Sequence, residues 1–179
     1  MADCVGIDLG SQTTTCARMP NHSPSQLTFR SLDTVVSFDN GRRYIGACHG
    51  FAVSDLLALI GTKYDTIDVL KIKTETAMDI SRSSDGYPLV RVEHCGIAMK
   101  LRPEQILCAL IGNVAKNSKR PVIGIPSHWS FTKRKALLSC CAIAYVHPQI
   151  IDSSLAIALG IWPGIASVSG LNFLVLDFG

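Results

Sequence analysis

Residues 3–14 read DCVGIDLGSQTT, and this stretch decides the fold. Val5, Ile7 and Leu9 alternate with other residues, which is the pattern of a strand with one buried face. Gly10 follows the strand at once and predicts a tight turn, because glycine adopts backbone angles that other residues avoid. The other segments of the chain can be placed relative to this strand and turn.

The turn after the first strand has the composition of a phosphate-binding loop. The backbone N–H groups of Gly10, Ser11 and Gln12 would point into one concavity, an arrangement that binds anions. Asp8 comes just before them and is placed to hold a hydrated Mg²⁺ through its carboxylate oxygens. Taken alone, an ordinary turn explains the segment at least as well, because such turns are rich in Gly, Ser and Asx residues.

A second segment of the same kind stands at the other end of the sequence. Residues 172–179 read NFLVLDFG, an apolar strand pattern followed by Asp177 and Gly179. Two strands that each finish in Asp-x-Gly supply an acid and a loop on both sides of a phosphate–metal complex. The pair therefore favours a phosphate site over two unrelated turns.

The composition is that of a globular domain. The 179 residues are 47% hydrophobic, which is enough for one sizeable core. The net charge is only +3, and the basic cluster at residues 133–135 lacks interleaved aromatic residues, so we expect no nucleic-acid partner. The longest apolar runs, residues 136–146 and 155–162, are shorter than the roughly 20 residues of a membrane span. We therefore expect no membrane partner.

The cysteines and histidines indicate the compartment. Seven cysteines are present, an odd number with no Cys-x-x-Cys spacing, and several lie in apolar runs. This pattern predicts free thiols packed as small hydrophobic residues in a reducing compartment, and it argues against a disulfide framework or a zinc site. The five histidines are scattered, so we expect no structural metal. With no apparent leader before the first strand, we expect a cytoplasmic protein.

Hydrophobic periodicity and turn residues predict the remaining elements. Predicted strands cover residues 13–19, 27–30, 34–38, 121–126, 149–151 and 173–176. Residues 39–41, Asp-Asn-Gly, predict a hairpin turn after the strand 34–38, and a second hairpin is predicted over 89–92 and 97–101. Predicted helices cover residues 51–60, 103–114 and 133–145, the last with Thr132 as N-cap, and a short helix runs from Ser153 or Ser154 to about Gly160. Residues 62–86 show no clear pattern.

The order of these elements predicts the fold class. Three antiparallel strands followed by alternating helices and strands indicate an α/β fold with a mixed β-sheet and flanking helices. Ligands of such sheets bind beyond the carboxyl ends of the strands. Four residues lie at or just after predicted strand ends, and we expect them along one edge: Asp8, Pro126, Asp152 and Asp177.

Five segments, in order along the chain, resemble the nucleotide-binding domain of the seventy-kilodalton heat-shock (DnaK-type) chaperones. They are residues 5–10, 30–38 with 44–46, 59–61 with 63–65, 123–126 with 134–136, and 152–160 with 177–179. The resemblance implies an actin-like ATPase (ribonuclease-H-like) fold, in which residues 1–179 are the first lobe of an incomplete domain. The second lobe and the substrate-binding domain would be absent, as in an N-terminal fragment. The loop sequence Gly10-Ser11-Gln12, with a glutamine where the common chaperones have a threonine, more closely resembles the hundred-and-ten-kilodalton branch of the family. That branch acts mainly in nucleotide exchange.

The resemblance implies an ATP-binding molecular chaperone that assists protein folding, with ATP or ADP and Mg²⁺ as ligands. Asp8 and Asp177 would hold Mg²⁺ through water, and Asp152 would stand nearest to the acid of the family's connecting segment. These three carboxylates are the candidate catalytic residues. Unfolded or partly folded client proteins and co-chaperones would be the partners of the full-length form.

The resemblance also assigns phosphate-binding and coupling residues. Gly10, Ser11, Gln12 and Gly179 would bind the phosphate oxygens. Pro126 and Arg134 match the proline and arginine that pass the nucleotide state to the substrate domain. Such a set suits phosphoryl transfer to water, which needs positioning and charge neutralisation more than covalent help.

Two departures from the family pattern weaken the catalytic part of this expectation. Leu57 takes the position of the lysine that orients the attacking water, and a leucine supplies neither charge nor hydrogen-bond donor. Asp152 is shorter than the glutamate that the family has on the connecting segment. With the second lobe also missing, we do not expect hydrolysis by this chain alone.

Two other functions remain open at this stage. A non-catalytic regulator that binds a chaperone, or a nucleotide-exchange co-chaperone, would fit the leucine at position 57. A sugar or acetate kinase of the same superfold would share the Asp-x-Gly loops. The Ile-Pro strand end at Pro126 with Arg134 downstream argues against the kinase.

Overall fold

The computed structural model describes residues 3–20, 23–118 and 120–165, which form eleven strands, five α-helices and a short 3₁₀ helix, Pro24–Gln26. The strands are β1 (Cys4–Leu9), β2 (Thr13–Met19), β3 (Thr28–Asp33), β4 (Val36–Asp39), β5 (Arg42–Ile45), β6 (Phe51–Val53), β7 (Ile80–Arg82), β8 (Pro88–His94), β9 (Ile97–Leu101), β10 (Val122–Ile125) and β11 (Gln149–Asp152). The helices are α1 (Leu56–Leu59), α2 (Ile67–Glu75), α3 (Pro103–Val114), α4 (Phe131–Ile143) and α5 (Ser153–Ile165).

The central sheet has the strand order β11-β10-β1-β2-β3. Strands β1, β2 and β3 are antiparallel neighbours, which confirms the three-stranded start predicted from the sequence. β10 pairs with β1 in parallel and β11 pairs with β10 in parallel. Helix α4 provides the crossover from β10 to β11, and α3 directly precedes β10. Because it combines antiparallel and parallel pairs, the sheet is mixed, as expected. This arrangement brings the carboxyl ends of β1, β10 and β11 to the same edge.

One face of the central sheet carries the main core. Val5, Ile7 and Leu9 alternate along β1 and are almost fully buried. They belong to one hydrophobic cluster that includes α3 and α4, and these two helices pack against each other. Alternation on β1 thus sets the inward face, as a strand period of two requires.

The other face of the sheet is more open. Gly6, Ala17 and Phe29 lie on it, and the Phe29 side chain is 70% exposed. Helix α5 borders this face and has several large apolar side chains at its surface: Leu155, Ile157, Leu159 and Ile161.

Two smaller sheets stand beside the central one, with strand orders β5-β4-β6 and β7-β8-β9. The β4–β5 hairpin turns through Asn40 and Gly41, both with positive φ, which confirms the predicted turn. The predicted hairpin of β8 and β9 is also present.

The helix predicted over residues 51–60 is wrong in its first half. Phe51–Val53 pairs with β4 instead, and only Leu56–Leu59 is helical. Short apolar runs fit a strand or a helix equally well, and here the pairing with β4 decides between them. Gly61 follows α1 with positive φ, as expected of a residue that ends a helix.

Two other helix predictions need correction, and one helix was not predicted. α2 and the strand β7 fall in residues 62–86, where no pattern was recognised, because only Val69 and Ile72 of α2 are buried. Ser130, not Thr132, caps α4: its Oγ accepts a hydrogen bond from the Lys133 backbone N–H at 3.3 Å. α5 continues past Gly160 to Ile165. The strand predicted over residues 173–176 lies outside the described residues.

All seven cysteines are free, as predicted. Cys16, Cys140 and Cys141 are buried in the core, whereas Cys48 and Cys95 are exposed and do not pack as small hydrophobic residues. None of the helices in the described part of the chain is long and apolar enough to cross a membrane.

The burial of the thiols predicts their order of reaction. Burial raises the pKa of Cys141 to about 12 and the pKa of Cys140 further, so both stay protonated as well as inaccessible. With a thiol reagent at about pH 8, near the ordinary cysteine pKa, we expect Cys48 and Cys95 to react first. Cys140 and Cys141 should react only on unfolding. Labelling followed by peptide mass spectrometry measures this order, with denaturant as the control; fast labelling of native Cys141 would contradict the packing of α4.

Candidate functional site

A cavity of about 420 Å³ lies beyond the carboxyl ends of the parallel strands. Asp8 borders it from β1, residues 126–129 border it after β10, and Ser153 borders it after β11. Gly10 and Ser11 form the wall next to Asp8. The structure therefore brings together most of the described residues that the sequence predicted for a phosphate site. Gln12 and Asp152 are not among the described residues that line this cavity.

Gly10 is required by the geometry of its loop. A Cβ atom at this position would lie 2.5 Å from the carbonyl oxygen of Thr13, closer than any real side chain tolerates. The loop therefore folds tightly back on the start of β2, and the Gly10–Ser11 backbone stays open to the cavity.

Thr34 supports this loop from beneath. Its side chain is only 2% exposed, and its Oγ1 donates to the Gly10 carbonyl oxygen at 2.7 Å. The Thr34 backbone N–H donates to the Gln12 carbonyl oxygen at 2.7 Å, and the hydroxyls of Thr34 and Thr14 lie 2.8 Å apart. The loop is thus fixed at both ends. Sequence reasoning assigned Thr34 to a strand and missed this role, because its partners lie about twenty residues earlier.

The oxygen atoms of Asp8 and Ser153 converge on one glycine. Asp8 is opposite Gly124 in the β1–β10 pairing. A Cβ added at Gly124 would lie 3.8 Å from Asp8 Oδ1 and 3.6 Å from Ser153 Oγ, so the missing side chain leaves room for both groups. A carboxylate and a hydroxyl are hard oxygen ligands of the kind that suits hydrated Mg²⁺. The residues present therefore fit the metal that the resemblance implies.

Asp152 has a different partner from the one expected. Its Oδ1 accepts from Arg134 Nη2 at 2.7 Å, in an ion pair whose two side chains are about one-third exposed. Arg134 also donates to the carbonyl oxygens of Ser127 and Trp129, each at 3.2 Å. The guanidinium thus ties the loop after β10 to the end of β11. Pro126 begins that loop and lines the cavity.

Leu57 forms an apolar part of the cavity wall and is 5% exposed. Its carbonyl oxygen accepts a hydrogen bond from Lys133 Nζ at 3.2 Å. Burial lowers the pKa of Lys133, and the carboxylate of Asp68 partly counters this effect. In the sequence, Lys133 stands out only as a member of the basic cluster at residues 133–135.

Two predicted site residues, Asp177 and Gly179, lie outside the described residues. Within residues 3–20, 23–118 and 120–165, no three His, Cys, Asp or Glu side chains come together as a metal cage. The described half of the site is one acid, a glycine loop, a lysine and several hydroxyls.

The mixed five-stranded sheet with its flanking helices is that of an incomplete actin-like ATPase lobe. The sequence profile of the Hsp70 protein family matches residues 4–179. The chain belongs to this family, which confirms the resemblance seen in the sequence.

Several curated proteins of the same family are similar in sequence to this chain. Heat shock 70 kDa protein 16 of Arabidopsis thaliana is 30% identical over 177 residues, covering 87% of this chain and 23% of that protein. Heat shock 70 kDa protein 14 of the same plant is 25% identical over 170 residues, covering 84% of this chain and 20% of that protein. Chaperone protein dnaK of Cyanophora paradoxa is 25% identical over an alignment of 201 positions, covering 100% of this chain and 31% of that protein. The chain thus spans between a fifth and a third of the length of these relatives.

The loop support by Thr34 yields a stability prediction. Thr34→Val keeps the volume but leaves the part-buried Gly10 carbonyl and the buried Thr14 hydroxyl without this partner, so the free energy of unfolding should fall by about 1–3 kcal/mol. Urea denaturation followed by circular dichroism measures the change. Thr15→Val is the matched control, since the Thr15 hydroxyl bonds Ser31 at the exposed surface. Equal effects of the two substitutions would contradict the role of Thr34.

Proposed function

We propose that this chain is the first lobe of an ATP-binding Hsp70-type chaperone, and that its cavity receives the phosphates of ATP or ADP with Mg²⁺. The observation that carries this proposal is the meeting of Asp8, the Gly10–Ser11 loop and Ser153 around one cavity at the strand ends. Membership of a family of nucleotide-binding chaperones supports the same ligand. The chain's share of its relatives' length supports a partial domain, residues 1–179, with the second lobe and substrate-binding domain outside it.

The described residues have distinct roles in this proposal. Asp8 is the acid on the metal side, and the backbone of Gly10, Ser11 and Gln12 holds phosphate oxygens. The proposal also assigns Asp177 as a second acid for the metal and Gly179 as a second phosphate contact; both lie outside the described residues. Bound Mg²⁺ would supply neutralisation of the phosphate charge, the main requirement of phosphoryl transfer.

Pro126 and Arg134 are the coupling residues of the proposal. Arg134 contacts two carbonyl groups of the loop that begins at Pro126, as well as Asp152 at the end of β11. A shift of this loop on nucleotide binding would therefore also move the end of β11, through the contact of Arg134 with Asp152. The pairing of Asp152 with Arg134 makes a coupling role for Asp152 better supported than a catalytic one.

A second candidate function is a non-catalytic regulator of another chaperone, or a nucleotide-exchange co-chaperone. Two observations favour it. Leu57 offers no donor at the position of the water-orienting lysine, and the Asp152 carboxylate is already paired. This candidate predicts nucleotide binding without measurable hydrolysis, or a chaperone partner that binds regardless of nucleotide.

The cellular setting is part of the proposal. Unfolded or partly folded clients and co-chaperones are the proposed partners of the complete protein. A cytoplasmic location is supported by seven free cysteines, which are stable as thiols in a reducing compartment.

Asp8 provides the test of the nucleotide site. In calorimetric titration with ATP in Mg²⁺ buffer, Asp8→Asn should weaken binding by about 10–100-fold, because it removes a water-mediated ligand of the metal. The effect should disappear when Mg²⁺ is omitted.

Asp65→Asn is the control for this titration. Asp65 is an exposed acid paired with Arg82 on a small sheet, away from the cavity. It should leave the affinity unchanged. The proposal would be contradicted if the parent chain bound no ATP–Mg²⁺, or if the Asp8→Asn variant bound it as well as the parent.

A further inference from the structure

Lys133 is the one lysine or arginine among the described residues that line the cavity. It stands in the first turn of α4, where its own backbone N–H bonds the cap residue Ser130. No acidic residue accompanies it in that turn. A cation at this end of a helix opposes the helix dipole, so the charge does not serve to stabilise α4.

The ammonium group is held in place but has no carboxylate partner. Lys133 Nζ donates to the Leu57 carbonyl oxygen at 3.2 Å and lies 5.8 Å from the centre of the Trp129 ring. Within the described part of the chain, no carboxylate oxygen lies within 4.0 Å of it. An ammonium has three N–H donors, so donors remain for a ligand.

The surroundings of Lys133 favour an anion as that ligand. Partial burial disfavours the charged amine, and an adjacent negative charge would offset this cost. The neighbouring cation, Arg134, is already engaged by Asp152 and two carbonyl groups. Among the described residues that line the cavity, Lys133 therefore provides the positive charge that is available to a ligand, next to the backbone of Leu57.

We propose that Lys133 neutralises and binds phosphate oxygens in this cavity, from α4, in place of the charge that Leu57 lacks. The ligand class is a Mg²⁺-bound di- or triphosphate. This inference rests on the proposed function, since it adds a cationic contact to the same phosphate site. In the family, by resemblance, a lysine stands at the position of Leu57 on α1. Here Lys133 on α4 would supply the positive charge instead, and its ammonium group contacts the backbone carbonyl of Leu57.

The test uses Mg²⁺–tripolyphosphate as the probe and Trp129 as the reporter. Trp162→Phe leaves Trp129 as the remaining tryptophan of the chain, beside Lys133 in the cavity wall. In this background we compare Lys133→Gln, Lys133→Arg and Lys135→Gln by fluorescence titration. Lys135 is the matched control, because it is an exposed lysine two residues along the same helix.

We expect Lys133→Gln to weaken tripolyphosphate binding about tenfold or more, the usual effect of losing a hydrogen bond to a charged group. Lys133→Arg should restore most of the affinity, and Lys135→Gln should not change it. Unchanged binding by Lys133→Gln would overturn the role of Lys133 and leave the proposed function standing. A parent chain that binds no tripolyphosphate would overturn both.

A second measurement does not depend on the variant folding. In the parent chain, tripolyphosphate with Mg²⁺ should protect Lys133 from an amine-acetylating reagent and leave Lys135 reactive, as read by peptide mass spectrometry. Equal acetylation of Lys133 with and without the probe would contradict the proposal. A purely structural lysine that only bonds the Leu57 carbonyl would show no such protection.

Discussion

The parallel pairing of β1, β10 and β11 is the constraint on which the site depends. It aligns Asp8 with Gly124 and Ile125 with Asp152, so the three strands end at one edge. Residues far apart in sequence then follow these strands into a common space. The buried alternation of β1 against α3 and α4 fixes this register, because a slip of one residue would turn Val5, Ile7 and Leu9 outward.

Around that edge the polar groups fall into two layers. Beneath the glycine loop, the buried Thr34 hydroxyl donates to the Gly10 carbonyl oxygen and is itself hydrogen-bonded to the Thr14 hydroxyl, which fixes the loop. Beside the cavity, Arg134 joins the loop after β10 to β11 through one ion pair and two carbonyl contacts. A loop fixed by hydrogen bonds, and a neighbouring loop held by Arg134, suit the proposed phosphate site and the proposed coupling role of Arg134.

Much of the fold could be predicted from the sequence, and the failures have physical causes. The antiparallel start, the two hairpins, α3 and the strands β10 and β11 follow from period, turn residues and a helix-starting proline. The error over residues 51–60 arose because a short apolar run does not choose between helix and strand until β4 pairs with it. Helix α2 was missed because it buries only two side chains and so has little apolar periodicity.

For the site, the sequence by itself determined the chemistry: a strand end with Asp8, a turn that requires Gly10, and the Pro126 strand end that follows later. These are local properties of spacing and backbone freedom. Only the tertiary structure decided the partners. It paired Asp152 with Arg134, placed Thr34 under the glycine loop and brought Lys133 to Leu57. Such contacts join residues up to 76 positions apart, and their choice depends on how helices and loops pack on the sheet, which no local pattern encodes.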